Sequence, residues 1–132
     1  MRCVFDTNVL VSALVSPQST SRKAFDRARS SGILLLSPAV TAELREVLSR
    51  RKLRRYFNED KVGLWLAILI HESVWIDDAD EVVECRDPKD DKFLGLGVAG
   101  HATHIVSGDS DLLVLDPFRN IRIVTPRQFL ST

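Results

Sequence analysis

The chain has 132 residues, 45% hydrophobic and 27% charged, with 18 Lys and Arg balancing 18 Asp and Glu. That size suits one domain around one core, and the composition, ordinary for a globular protein, argues against disorder across most of the chain. Two cysteines, Cys3 and Cys85, exclude a disulfide framework, and a net charge of zero excludes a polyanion-seeking field over the whole surface.

The first strand is expected at Arg2 to Phe5. Asp6 follows it at once and interrupts any signal-peptide core. A helix starts near Asn8. Ser19-Thr20-Ser21 offers N-caps for a helix over Arg22 to Ser30, and Gly32 ends it. Ile33 to Leu36 reads as a buried strand. Ser37-Pro38 supplies a cap and a proline at the first helical position, opening a helix that runs to about Ser49. A short basic helix has room to follow. Asn58 or Asp60 starts the next helix, which ends near His71. Ser73 to Ile76 is a short strand. Asp87-Pro88 opens a helix reaching about Gly100, dotted with Gly95, Gly97 and Gly100. Each glycine costs about 1 kcal/mol relative to alanine, so that helix is either soft or closely packed on a neighbour. His104 to Ser107 is a strand, Asp109-Ser110-Asp111 starts a helical turn, and Asn120 to Val124 is the last strand. Thr125-Pro126 caps a terminal turn or helix. Strands alternating with helices predict an α/β domain with a mostly parallel sheet, spanning residues 1–132 as one unit.

The longest apolar stretch, Leu64 to Ile70, is too short to span a bilayer, and the expectation is a cytoplasmic protein. The helix around it is apolar nearly all round, so it needs cover on more than one side. A second copy of the chain is the expected cover, making a homodimer or a higher homo-oligomer.

Charge is unevenly spread. Arg45, Arg50, Arg51, Lys52, Arg54 and Arg55 face one nearby acid, Glu46. A solvated helix face explains such a run, and so does a phosphate-contacting patch. Residues 77–91 are strongly acidic.

Asp6 and Asp109 both stand just past the carboxyl end of an apolar strand, the edge where open α/β sheets place their sites. In the helix from Pro38, the stripe is Val40, Leu44, Val47 and Leu48. At about 100° per residue, Glu43 lies roughly 40° from that stripe and Glu46 about 100° away. A carboxylate bordering the core needs a cation or a donor. In Asp87-Pro88-Lys89-Asp90-Asp91, Asp87 is a ready N-cap and Asp90 resembles the back half of a capping box. Asp91, one turn further, leans toward the crevice. Two carboxylates about 4 Å apart repel by about 4 kcal/mol at an effective dielectric of about 20, so a cluster of four needs protons or a hard cation. Oxygen-only ligands favour Mg²⁺ or Mn²⁺ over zinc, for which neither cysteine supplies a partner at ligand spacing.

Val4-Phe5-Asp6-Thr7-Asn8-Val9-Leu10, Asp87-Pro88-Lys89-Asp90-Asp91-Lys92-Phe93-Leu94 and Ile105-Val106-Ser107-Gly108-Asp109-Ser110-Asp111 resemble, in order and spacing, the acidic motifs of PIN-domain ribonucleases. The closing Ile123-Val124-Thr125-Pro126-Arg127-Gln128-Phe129-Leu130 resembles the VapC-like branch, the toxins of toxin–antitoxin pairs. The resemblance implies a three-layer α/β/α sandwich on a parallel sheet of four or five strands. It also implies cleavage of single-stranded RNA supported by Mg²⁺ or Mn²⁺. By motif match, Asp6, Glu43, Asp91 and Asp109 take the places of the core catalytic and metal-binding acids, with Asp90 as the alternative to Asp91. Asp111 is an auxiliary metal ligand, and Asn8 and Ser107 orient the site. Arg50, Arg51, Lys52, Arg54 and Arg55 would guide the RNA backbone with salt-dependent affinity. An antitoxin protein is the expected partner. A receiver-like phosphotransfer module would need a phosphoacceptor aspartate ending a middle strand and a lysine ending a late strand, and the sequence shows neither pattern. A PIN-like module that binds RNA or an antitoxin without cleaving remains the alternative.

Overall fold

The computed structural model describes residues 1–77 and 82–132. Asp78, Asp80 and Glu81 of the acidic run therefore lie outside the described residues. Five parallel strands form one sheet: β1 (Arg2–Phe5), β2 (Ile33–Leu36), β3 (Val74–Trp75), β4 (His104–Val106) and β5 (Arg122–Val124), in the order β3-β2-β1-β4-β5. The helices are α1 (Thr7–Val15), α2 (Thr20–Ser31), α3 (Pro38–Leu48), α4 (Glu59–Glu72), α5 (Asp91–Ala99), α6 (Ser110–Leu113) and α7 (Pro126–Leu130). Two 3₁₀ turns, Arg51–Leu53 and Pro88–Asp90, stand before α4 and α5.

Register and alternation assign the two faces. Val4 pairs with Ile105, and Ile105 with Ile123. Paired residues of a parallel sheet point the same way. On that face α5 lies so close that a Cβ on Gly97 would meet Ile105 Cδ1 at 3.2 Å. Phe5 points to the other face, where its ring meets Phe25 of α2 and Phe129 of α7 edge-on, at centroid distances of 6.0 and 6.1 Å. The sheet is thus covered on both sides, as an α/β/α sandwich requires. One core cluster runs from Cys3 to Phe129. Cys3 is fully buried within it and both cysteines are free.

The local signals act where they were expected. Ser19, Ser37 and Asn58 cap α2, α3 and α4 through their side-chain oxygens. Thr125 and Gln128 form a reciprocal capping box on α7. The strands β3, β4 and β5 are shorter than expected. The segment from Asp87-Pro88 also differs: it enters as a 3₁₀ turn and becomes α-helical only at Asp91. Gly97 and Gly100 are explained by close packing rather than softness. A Cβ on Gly100 would approach Leu35 Cδ1 to 2.7 Å and Leu96 O to 3.0 Å.

From β1 the chain moves toward β2 and β3, and from β4 it moves the opposite way to β5. The carboxyl ends of β1 and β4 therefore flank the switch point, where crevices open in such sheets.

Candidate metal centre

Asp6 leaves β1 at that switch point. Its N–H continues the sheet ladder to Val106 O at 3.0 Å. One carboxylate oxygen caps α1, accepting from Val9 N at 2.8 Å, and the other accepts from the Ser107 hydroxyl. Asp6 is 4% exposed and Ser107 fully buried. Burial pushes the Asp6 carboxyl above its ordinary range, and the charge of Asp109 adds to that, against the relief given by Ser107 and the Val9 N–H. Such a group takes up a proton or attracts a cation.

Ser107 also accepts from Asp109 N at 2.9 Å. Asp109 caps α6, accepting from Asp111 N at 2.9 Å. One serine therefore aligns the acids that end two neighbouring strands.

The 3₁₀ entry to α5 sets which of Asp90 and Asp91 lines the crevice. Asp91 faces away from the crevice: its Oδ1 accepts from Cys85 N at 2.7 Å and Glu84 N at 3.1 Å. Burial would raise its pKa, but these two donors outweigh it and hold Asp91 below the usual carboxylate range. Asp90 stands in the crevice instead, facing Asp109. The expectation that Asp91 joins the cluster is thereby corrected, because a 3₁₀ turn advances about 120° per residue where an α-helix advances about 100°. Burial first, then the nearby Asp109 and the charges of Asp87 and Asp6, push Asp90 up to about 7. Its Oδ2 is buried with no hydrogen-bond partner.

Glu43 comes from α3, bordering the core as its wheel position implied. Its Oε2 accepts from the Thr7 hydroxyl and its Oε1 from Lys92 Nζ at 3.0 Å. The cation and the donor that such a carboxylate needs are thus this lysine of α5 and the Thr7 hydroxyl. Arg50 turns to Glu46, with N–O distances of 3.2 and 2.9 Å.

These groups meet around a cavity of about 170 Å³, lined by Asp6, Thr7, Asn8, Glu43, Arg50, Asp90 and Asp109, with Val47 and Phe93 on its apolar side. A second recess of about 440 Å³ shares Asp6, Asn8 and Asp109 and extends past Gly108 to Pro126. Asp90, Asp109 and Asp111 each offer a carboxylate oxygen within 4.8 Å of the others. An all-oxygen donor set containing a buried, unpartnered carboxylate oxygen fits a hard divalent cation. Lys92 and Thr7 are the members that sequence reasoning missed. The basic residues Arg51, Lys52, Arg54 and Arg55 are exposed, and the Arg55 guanidinium lies 4.9 Å from the Tyr56 ring centre. The histidines stand away from this cavity; His104 packs edge-on against Phe129 at 5.4 Å.

The family model of the PIN domain matches residues 2–111. The chain belongs to the PIN domain family. A curated relative, an uncharacterized protein of Methanocaldococcus jannaschii, is 29% identical over 141 aligned positions, covering 99% of this chain and 90% of that protein. Among solved structures, this PIN domain is similar to VapBC2 from Rickettsia felis, crystallised with a DNA fragment from their promoter. The TM-score is 0.64 and the identity 15%, over 93% of this chain and 97% of that one. At that identity the likeness is one of fold. No helix among the described residues is long and apolar enough to cross a membrane.

Proposed function

We propose that this PIN domain, residues 1–132 as one unit, is a divalent-metal-dependent endoribonuclease that hydrolyses phosphodiester bonds of single-stranded RNA. On this reading it is the VapC-like toxin of a toxin–antitoxin pair and acts in the cytoplasm. The observation that carries the proposal is the convergence of Asp6, Glu43, Asp90 and Asp109 on one cavity at the switch point, with one Asp90 oxygen buried and unpartnered. The VapBC2 neighbour, whose name is that of a complex, favours an antitoxin as partner. The exposed apolar residues Leu64 and Ile68 on α4 favour a homodimer.

Asp90, Asp109 and Asp111 would hold Mg²⁺ or Mn²⁺, with Asp6 beside them. Bound there, the ion supplies the Lewis-acid polarisation that phosphodiester hydrolysis needs near neutral pH. Ser107 keeps Asp6 and Asp109 aligned, so little reorganisation is needed when a phosphate arrives. Asn8, exposed at the rim, offers an amide to substrate. Glu43, held from both sides, orients water on the opposite wall. Arg50 with Arg51, Lys52, Arg54 and Arg55 forms the basic approach along which the RNA backbone lies.

Cleavage of end-labelled single-stranded RNA, with and without chelator, tests the proposal. Turnover requires Mg²⁺ or Mn²⁺. It is expected to fall at least about 100-fold in Asp6→Asn and in Asp90→Asn, and only a few-fold in Asp91→Asn. RNA retained without turnover by the unmodified chain is the outcome that turns the reading to a binding module.

A further inference from the structure

Lys92 is the cation that an acidic site with a divalent metal has no evident need of. It stands two residues after Asp90, on the first turn of α5. Its Nζ donates to Glu43 Oε1 at 3.0 Å and to Lys89 O at 2.6 Å, and its side chain is 22% exposed. Glu43 is therefore occupied on both oxygens, by Lys92 and by the Thr7 hydroxyl. The opposite wall differs. Asp90 Oδ2 has no donor at all. Asp90, Asp109 and Asp111 converge without a cationic side chain bonded to any of them among the described residues.

The cavity is thus divided into a wall already neutralised by a protein cation and a wall that is not. A divalent ion entering on the Glu43 wall would have to displace an ammonium group or share a carboxylate with it. Sharing sets a double positive charge against a single one at contact range, where their repulsion is strongest. An ion entering on the Asp90 wall meets no such competitor.

We propose that Lys92 is a positioning residue that takes the place of a second metal ion: it holds Glu43 in a neutral pair, out of ligation, and limits the site to one divalent ion on Asp90, Asp109 and Asp111. The inference rests on the reading of this crevice as a divalent-cation site. Thr7 fixes the far oxygen of Glu43, and the Lys89 carbonyl fixes the ammonium, so the pair is held at both ends.

Isothermal titration of the full, chelator-stripped chain with Mn²⁺ reads this directly. The unmodified chain is expected to bind about one ion. Lys92→Met, which keeps the stem and removes the charge, is expected to bind about two, because Glu43 is released. Lys92→Arg restores the single ion. A Lys92→Met variant with unchanged stoichiometry overturns the proposal while leaving the metal site standing, as does an unmodified chain that already binds two. An unmodified chain that binds none removes the cation site itself, and the proposal with it. Circular dichroism in chelator checks that the variants fold. Glu43→Gln gives a second route that leaves Lys92 intact. It should still bind about one Mn²⁺ with affinity within about threefold of the unmodified chain. A loss of binding there shows Glu43 to be a ligand and overturns the proposal.

Discussion

Asp90 and Asp91 are neighbours with opposite electrostatics. Asp91 is held ionised by two backbone donors, whereas Asp90, half-buried and facing Asp109, is pushed up to about 7. An unfolded chain releases that Asp90 proton near pH 4. Between about pH 4 and pH 7 the folded, metal-free protein therefore holds more protons than the unfolded one. Its stability must fall as pH rises through that window, the Asp90 contribution being complete below the unfolded value and lost above the folded one. In chelator, the thermal midpoint is expected to decline from pH 5 to pH 8, and Asp90→Asn should flatten the decline. Mn²⁺ added at pH 8 should recover the loss in the unmodified chain and not in the variant. A slope unchanged by Asp90→Asn would show that the carboxyl is not the titrating group. Asp6, raised chiefly by burial, acts in the same direction.

Among the elements, α5 and α4 use glycine for different reasons. Gly97 lets α5 approach β4 and the residue just before β5, since a Cβ there would meet Ile105 Cδ1 at 3.2 Å and Ile121 Cδ1 at 3.3 Å. Gly100 is tighter, and Gly63 in α4 faces open space. Gly63→Ala should therefore stabilise by up to about 1 kcal/mol, the helix-propensity gain. Gly100→Ala should destabilise, since its Cβ would press on Leu35 and the Leu96 carbonyl; urea unfolding of both variants reads the contrast. The same scale explains what the chain discloses before any coordinates. Helix starts such as Ser37-Pro38 and Thr125-Pro126 are legible because cap and proline act on their own turn. Asp6 and Asp109 are legible because apolar runs end at them, and Glu43 because it borders a stripe. Asp-Pro followed by an acid, however, opens a 3₁₀ turn as readily as an α-helix, and that ambiguity rotated Asp91 out and Asp90 in. Lys92 was invisible for another reason: its partner is 49 residues away, and pairing across elements leaves no periodic trace.

For the whole molecule, α4 leaves an apolar face uncovered by the chain itself. Val62, Leu66 and Leu69 face the core, while Leu64 is 65% and Ile68 47% exposed. With a homodimer formed through that face, replacing both Leu64 and Ile68 by Lys should halve the mass seen by light scattering without changing the circular dichroism spectrum. A mass unaltered by both charges would place the contact elsewhere. The adjoining sheet edge carries a further consequence. Val74 and Trp75 are partly exposed on β3, a strand of only two residues. So brief a ladder gives a foreign strand few rungs to climb, which blunts the fibril-forming hazard of an unguarded sheet margin. This flank can stay greasy enough to greet a partner without seeding polymerisation.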